Sequence, residues 1–288
     1  MPSTRQLKLR IRSVKSTRQI TKAMELVAAS KMRRAQEATQ ATSLYARAGA
    51  ELLTFLSANG ATDSHPLFKK REVKARLIVV VTSNKGLAGA YNTNVMKRYI
   101  QLLREDDAAG IKNETIAIGR KGAQFVARLK DTKVLGVYEN LSERPTGGEV
   151  RPIMATIVGK FIAGEVDAVD VIYTEYINSI TQTVGVQRLL PAGFNEVTVS
   201  GDIANAEFEP SKTEVLEGAT RRLIEAQLFQ TLLDATASEH SMRMVAMKNA
   251  TDNANDLVDD LTLEMNKVRQ AAITQELAEI SSGAEAVS

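Results

Sequence analysis

"RLIVVVTS" (Arg76–Ser83) decides the fold class. It is an unbroken apolar run closed by two hydroxyl residues. A strand with one wet face alternates, whereas a continuous run of this length belongs to a strand covered on both faces. Working outward from it, "ETIAIG" (114–119), "TKVLGVYENL" (132–141) and "AVDVIYTEYIN" (168–178) read as further strands. Helical stretches fall between them at 92–104, 120–130 and 149–164. Strands alternating with helices predict a mostly parallel sheet covered by helices, a Rossmann-like α/β domain.

Further out the punctuation disappears. Prolines stand at 2, 66, 145, 152, 191 and 210, and thirteen of the seventeen glycines lie between Gly86 and Gly201. The ends therefore lack helix breakers while the middle is rich in turns. Ser3 with Gln6, and Ser211 with Glu214, have the spacing of reciprocal helix caps. From the first cap a stripe runs Ile20, Met24, Val27, Lys31, Ala35, Ala38, Thr42, Tyr45, Gly49, Leu52 and Leu56, with Asn59-Gly60 as its stop. A second stripe, late in the chain, runs Ala250, Ala254, Leu257, Leu261, Met265, Val268 and Ala272. Steps of three and four with a single narrow face are the pattern of a coiled-coil seam. The expected division is an N-terminal coiled-coil helix (1–59), a central α/β domain (60–210) and a C-terminal coiled-coil helix with a projecting tip (211–288).

Charge suggests how the two helices meet. Residues 1–59 carry 11 Lys or Arg against 3 Asp or Glu, residues 211–288 carry 7 against 13, and the middle is nearly neutral, within an overall +3. An antiparallel coiled coil buries both seams, with facing residue numbers summing to roughly 270 and Ala23 near Ala246. At 1.5 Å per residue the helices would reach roughly 85 Å and roughly 105 Å. The excess is "RQAAITQELAEISSGAEAVS" (Arg269–Ser288), which has no broad apolar face and no partner within the chain.

Several chemistries are excluded or weak. The chain has no cysteine, so disulfides and thiolate ligands are absent, and His65 and His240 are far apart and read as surface or packing residues. No run approaches a membrane span. "TSNKGLAGAYN" (82–92) resembles a phosphate-cradling turn, but it lacks both nucleotide-binding glycine patterns; its glycines read as a tight strand-to-helix turn. Asp167 and Asp170, at a strand start, read as solvated. Met242, Met244 and Met247 read as core filling in the coil. The basic stretch "RQLKLRIRSVKSTRQITK" (5–22) has the charge of a nucleic-acid surface, yet the seam runs through it and no aromatic precedes Tyr45. A nucleotide-binding α/β protein and a coiled-coil nucleic-acid binder remain the alternative readings.

"IRSVKSTRQITKAMELVAASKMRRAQ" (11–36), "TSNKGLAGAYN" and "RMVAMKNATDNANDLVDDLTLEMNKVRQAAITQELAEISSGAEA" (243–286) resemble the gamma subunit of F-type ATP synthases. The resemblance covers both ends and the domain order between them. It implies a rotary central stalk whose coil turns inside a hexamer of alpha and beta subunits. The α/β domain would sit with the epsilon subunit on the membrane-embedded c-subunit ring. One copy per complex, no catalytic site, no cofactor and no nucleic acid are implied for this chain. The plain Met start suits a bacterial member at the cytoplasmic face of the plasma membrane. Positions matching the family's contacts to alpha and beta are Met24, Arg243, Arg269, Gln270 and Thr274. The membrane-side foot, "GDIANAEFEPS" (201–211), is matched only at "FEPS".

Overall fold

A computed structural model describes residues 3–58, 62, 65–130, 132–139, 141–143, 145–193, 209 and 211–287. Asn59-Gly60 and most of the 201–211 stretch lie outside them. In chain order the elements are α1 (Thr4–Ala58), a short 3-10 turn (Pro66–Phe68), β1 (Ala75–Val81), α2 (Tyr91–Ala109) and β2 (Lys112–Ile118). There follow α3 (Arg120–Val126), β3 (Lys133–Tyr138), α4 (Gly147–Ile162), β4 (Ala168–Tyr176), β5 (Gln182–Leu190) and α5 (Lys212–Val287). The α/β class and the long terminal helices expected from the sequence are both present. Contacts cluster into two compact units, Ala29–Met242 and Met1–Ala28 with Arg243–Ser288.

In the first unit the sheet order is β3-β2-β1-β4-β5. β1 pairs in parallel with β2 and with β4, and β2 with β3. β5 is the exception, an antiparallel partner of β4. β5 has no counterpart among the expected strands, because "QTVGVQRLL" is a half-buried edge with a glycine inside, a weak pattern beside the run in β1. As the sequence suggests, β1 is buried on both faces, with Leu77, Ile78 and Val79 fully inaccessible.

One face of the sheet carries α2 and α3, through Val95, Tyr99, Leu102, Ala123 and Val126. The other packs on α4, through Val150, Ile153, Ile157 and Phe161, and on α5, through Ile224, Leu228, Leu232 and Ala235. The C-terminal helix is thus a covering helix of the domain as well as a coil helix. Leu53 and Leu56 of α1 form a separate cluster with Leu216 and Leu223 of α5.

Asp170 is not solvated. It is 2% exposed and pairs with Arg76 and with Arg188 (2.5 Å), while Arg76 also meets Asp106 at 3.0 Å. Asp167 accepts hydrogen bonds from the Lys74 and Ala75 backbone N–H groups at 3.0 and 3.1 Å. Neither arrangement is visible in sequence, because the arginines come from strands and positions far along the chain. Burial pushes the Asp106 carboxyl above its usual value, against the pull of Arg76.

The second unit is an antiparallel helix pair. Leu7 and Ile11 are buried with Val258 and Leu261, and Val14, Met265 and Val268 flank them. Thr251 donates its hydroxyl to Thr21 at 2.8 Å, and Arg18 donates to Asn255 at 3.1 Å. These pairs lie within a turn of the expected register. The first cap is reciprocal: Ser3 N–H to Gln6 Oε1 at 3.0 Å and Gln6 N–H to Ser3 Oγ at 3.3 Å.

The seam itself is displaced from the apolar stripe. Ile20 and Val27 are exposed while Thr21 is buried, and Leu257 is 43% exposed while Val258 is 7%. Stripe-picking by hydrophobicity favoured the larger apolar neighbour; the mutual hydrogen bond of Thr21 and Thr251 is what permits threonine inside.

Candidate functional site

In a parallel α/β sheet, ligands bind outside the carboxyl ends of the strands, where a helix N-terminus offers free N–H groups. Here that crevice is filled by the chain itself. The first N–H groups of α3 are already taken: Arg120 by Asn84 Oδ1 (3.0 Å), Lys121 by Ser83 O (3.0 Å) and Gly122 by Thr82 Oγ1 (2.8 Å). A methyl group added at Gly119 would stand 2.1 Å from the Thr82 carbonyl oxygen, and one at Gly122 2.7 Å from its hydroxyl. Those glycines admit Thr82 rather than a phosphate.

The turn after β1 is likewise self-satisfied. Asn92 accepts from the Ser83 N–H at 3.0 Å and donates to the Ser83 hydroxyl at 2.8 Å. Gly89, at φ 56°, takes the left-handed conformation of a tight turn. The cavity left between Thr82, Gly119, Glu143 and Leu232 measures only about 60 Å³, far below a nucleotide pocket of several hundred Å³.

The surface that stands out instead lies in the helix pair. Past Val268 every residue from Arg269 to Ser282 is exposed, including Ile273, Leu277 and Ile280 at 50%, 61% and 63%. The helix nevertheless runs on to Val287. An isolated helix of the fourteen residues Arg269–Ser282 is of marginal length in water, so such a stretch points to a surface completed by something outside the chain.

The five sequence-selected positions divide by environment. Arg269, Gln270 and Thr274 sit together on the unpartnered stretch, and the Thr274 hydroxyl donates to the Gln270 carbonyl at 3.0 Å. Arg243 is 8% exposed, and Met24 is half-buried. Near Met24, a shallow groove of about 630 Å³ runs along Arg18, Lys22, Leu26, Lys248 and Asp252.

Charge is arranged on the outside of this pair. Arg5, Lys8, Arg10, Arg12 and Lys15 are exposed on α1, and Asp252, Asp256, Asp259, Asp260 and Glu264 are exposed on α5. Lys22 pairs with Glu25 on its own helix at 3.0 Å rather than across the seam. Hydrophobic patterning does not mark Thr21, Thr251, Arg18 and Asn255 as the polar centre of the seam; a threonine opposite another threonine is the one signal for it.

The chain thus combines an α/β domain with an antiparallel pair formed by its two terminal helices, the class of architecture in which its relatives are found. The ATP synthase family profile matches residues 3–287. The chain is 42% identical over 290 residues to the ATP synthase gamma chain of Chloroflexus aurantiacus, covering 100% of this chain and 99% of that one. It is 40% identical over 288 residues to that of Macrococcus caseolyticus, covering all of both. Among solved structures it resembles the rotor of Euglena gracilis mitochondrial ATP synthase, with TM-score 0.65, 18% identity, and 94% and 98% of the two chains covered. The central stalk of the Tetrahymena thermophila enzyme aligns with TM-score 0.59 at 24% identity, covering 80% and 99%. The chain belongs to the ATP synthase gamma-chain family. It is a central-stalk subunit of that membrane-bound enzyme complex, and among the described residues no helix is long and apolar enough to cross a membrane.

Proposed function

We propose that the helix pair is a rotor shaft turning inside a hexamer of alternating alpha and beta subunits, with one copy of the chain per complex. The α/β domain would stand on the c-subunit ring beside an epsilon subunit, at the cytoplasmic face of a bacterial plasma membrane. Proton-driven rotation of the ring would then impose binding, synthesis and release on the beta subunits in turn. In this reading the chain divides functionally at 1–59, 60–210 and 211–288, carries no catalytic site and needs no cofactor of its own.

The observation that carries the reading is the exposed helix from Arg269 to Ser282. A shaft gains from lacking one wide apolar face, since each deep apolar contact would raise the barrier between orientations. Arg269, Gln270 and Thr274 would meet a beta subunit through directional, reversible hydrogen bonds. Met24 and Arg243 would contact the stator nearer the domain. The filled crevice between Thr82 and Gly119 supports assigning the nucleotide chemistry to other subunits.

Co-purification tests the reading. Tagged chain expressed with its bacterial partners should bring down alpha, beta and epsilon subunits. Recovery of the tagged chain with no other subunit from cells that express them, or tight ATP binding by the chain in equilibrium dialysis, would contradict the proposal.

A further inference from the structure

Within the Ala29–Met242 unit the two long helices are fastened very differently. α5 lends Ile224, Leu228, Leu232 and Ala235 to the core beneath the sheet. α1 contributes no described residue to either sheet-face core. Its strong attachment is at one end, where Leu53 and Leu56 are fully buried against Leu216 and Leu223. Between residues 29 and 42 only Ala35 is buried as a whole side chain; the Thr39 hydroxyl is also inaccessible, and the rest are half-buried or exposed. Buried apolar area stabilises by about 25 cal/mol per Å², so a span whose one wholly buried side chain is a methyl group holds weakly.

Side-chain bonds tie this span to the domain, and beside the Thr39–Asp234 contact with α5 two of them reach the sheet and its loops. Lys31 Nζ meets Glu143 Oε1 at 2.5 Å, in the loop between β3 and α4. Gln36 Nε2 donates to the Tyr176 hydroxyl at 2.5 Å, at the end of β4. Glu143 also lies 3.8 Å from Nε2 of the buried His240 on α5, so it touches both long helices. Both ties are at least partly exposed, where ion pairs and hydrogen bonds contribute little each.

We propose that residues 29–42 of α1 form a detachable strap. The strap opens from the domain as a local unit, without opening the sheet core, and the Lys31–Glu143 and Gln36–Tyr176 bonds act as its catch. Opening would free one long helix to shift while α5 stays locked into the domain. The device depends on the domain's own packing and holds whether or not the chain acts as a rotor.

Hydrogen exchange of the full chain, read by mass spectrometry, tests the strap. Amides in 29–42 should exchange at least roughly tenfold faster than those in 224–235, since local openings cost less than global ones. Lys31→Ala with Gln36→Ala should quicken 29–42 by roughly another tenfold and leave 75–81 and 224–235 unchanged. Glu143→Gln alters the catch from the loop side, with helix propensity of α1 untouched, and should quicken the same span by a smaller factor. Equal protection of 29–42 and 224–235 in the wild type would overturn the proposal. So would acceleration of both regions together in either variant, which would make the bonds part of global stability rather than a catch.

Discussion

The helix α5 meets two opposite environments along its length. Ile224, Leu228, Leu232 and Ala235 are sealed into the core of the sheet, whereas Arg269 to Ser282 are all exposed. Propensity supports a helix in both places; burial supports it only in the first. One segment is thus helical with the support of the packed core, and the other is helical without it. Substitutions should therefore separate stability from activity according to where on α5 they fall.

The largest effect is expected at the sealed end. Leu228→Ala should cost about 2–5 kcal/mol of unfolding free energy, the range for a leucine fully removed from a packed core. Chemical denaturation monitored by circular dichroism would show it, and a loss below about 1 kcal/mol would mean that α5 is not an integral layer of the domain.

In the helix pair, the Thr21–Thr251 contact can be fixed covalently. The hydroxyls are 2.8 Å apart and the chain has no native cysteine. Thr21→Cys with Thr251→Cys should form a disulfide under mild oxidation, given its tolerance for Cα separations of roughly 4.4–6.8 Å. Preferential joining of Thr21→Cys to Ala272→Cys would break the antiparallel register.

A smaller effect concerns pH. Burial, aided by the charge of Glu175, pushes the Asp234 carboxyl up to about 6. Because this folded-state value lies above the unfolded one, the proton bound by the folded state favours folding at low pH. That contribution is full below the unfolded value and is lost as pH rises through about 6. Asp234→Asn should therefore raise Tm relative to the wild type more at pH 8 than at pH 4. An equal shift at both pH values would show that Asp234 titrates normally.

The sequence makes some of this legible and hides the rest for physical reasons. β1 and the two terminal helices stand out because continuous burial and unbroken periodicity leave dense local patterns. β5 escapes because an antiparallel edge strand that is only half-buried along most of its length has almost none. Asp170 escapes because its partners, Arg76 and Arg188, are joined to it only by strand pairing. On α5 much of the seam is readable from Ala254, Leu261, Met265 and Val268. Thr21 and Thr251 are not, because their burial depends on finding each other. The unpartnered tip is legible from length alone, since one helix outruns the other. The identities of Arg269, Gln270 and Thr274 as contact residues come from the family resemblance rather than from any pattern.

The most direct test joins those three observations in one variant. Arg269→Ala with Gln270→Ala lies on the exposed stretch, so it should change stability by under about 0.5 kcal/mol and leave assembly intact. If the tip meets beta subunits in turn, losing both side chains alters the barrier between successive rotor angles, where about 1.4 kcal/mol is tenfold in rate. The measurement is steady-state ATP hydrolysis by the purified complex, with subunit stoichiometry determined on the same sample. The account predicts a fully assembled complex that turns over several-fold more slowly. Wild-type turnover in a fully assembled complex would contradict it.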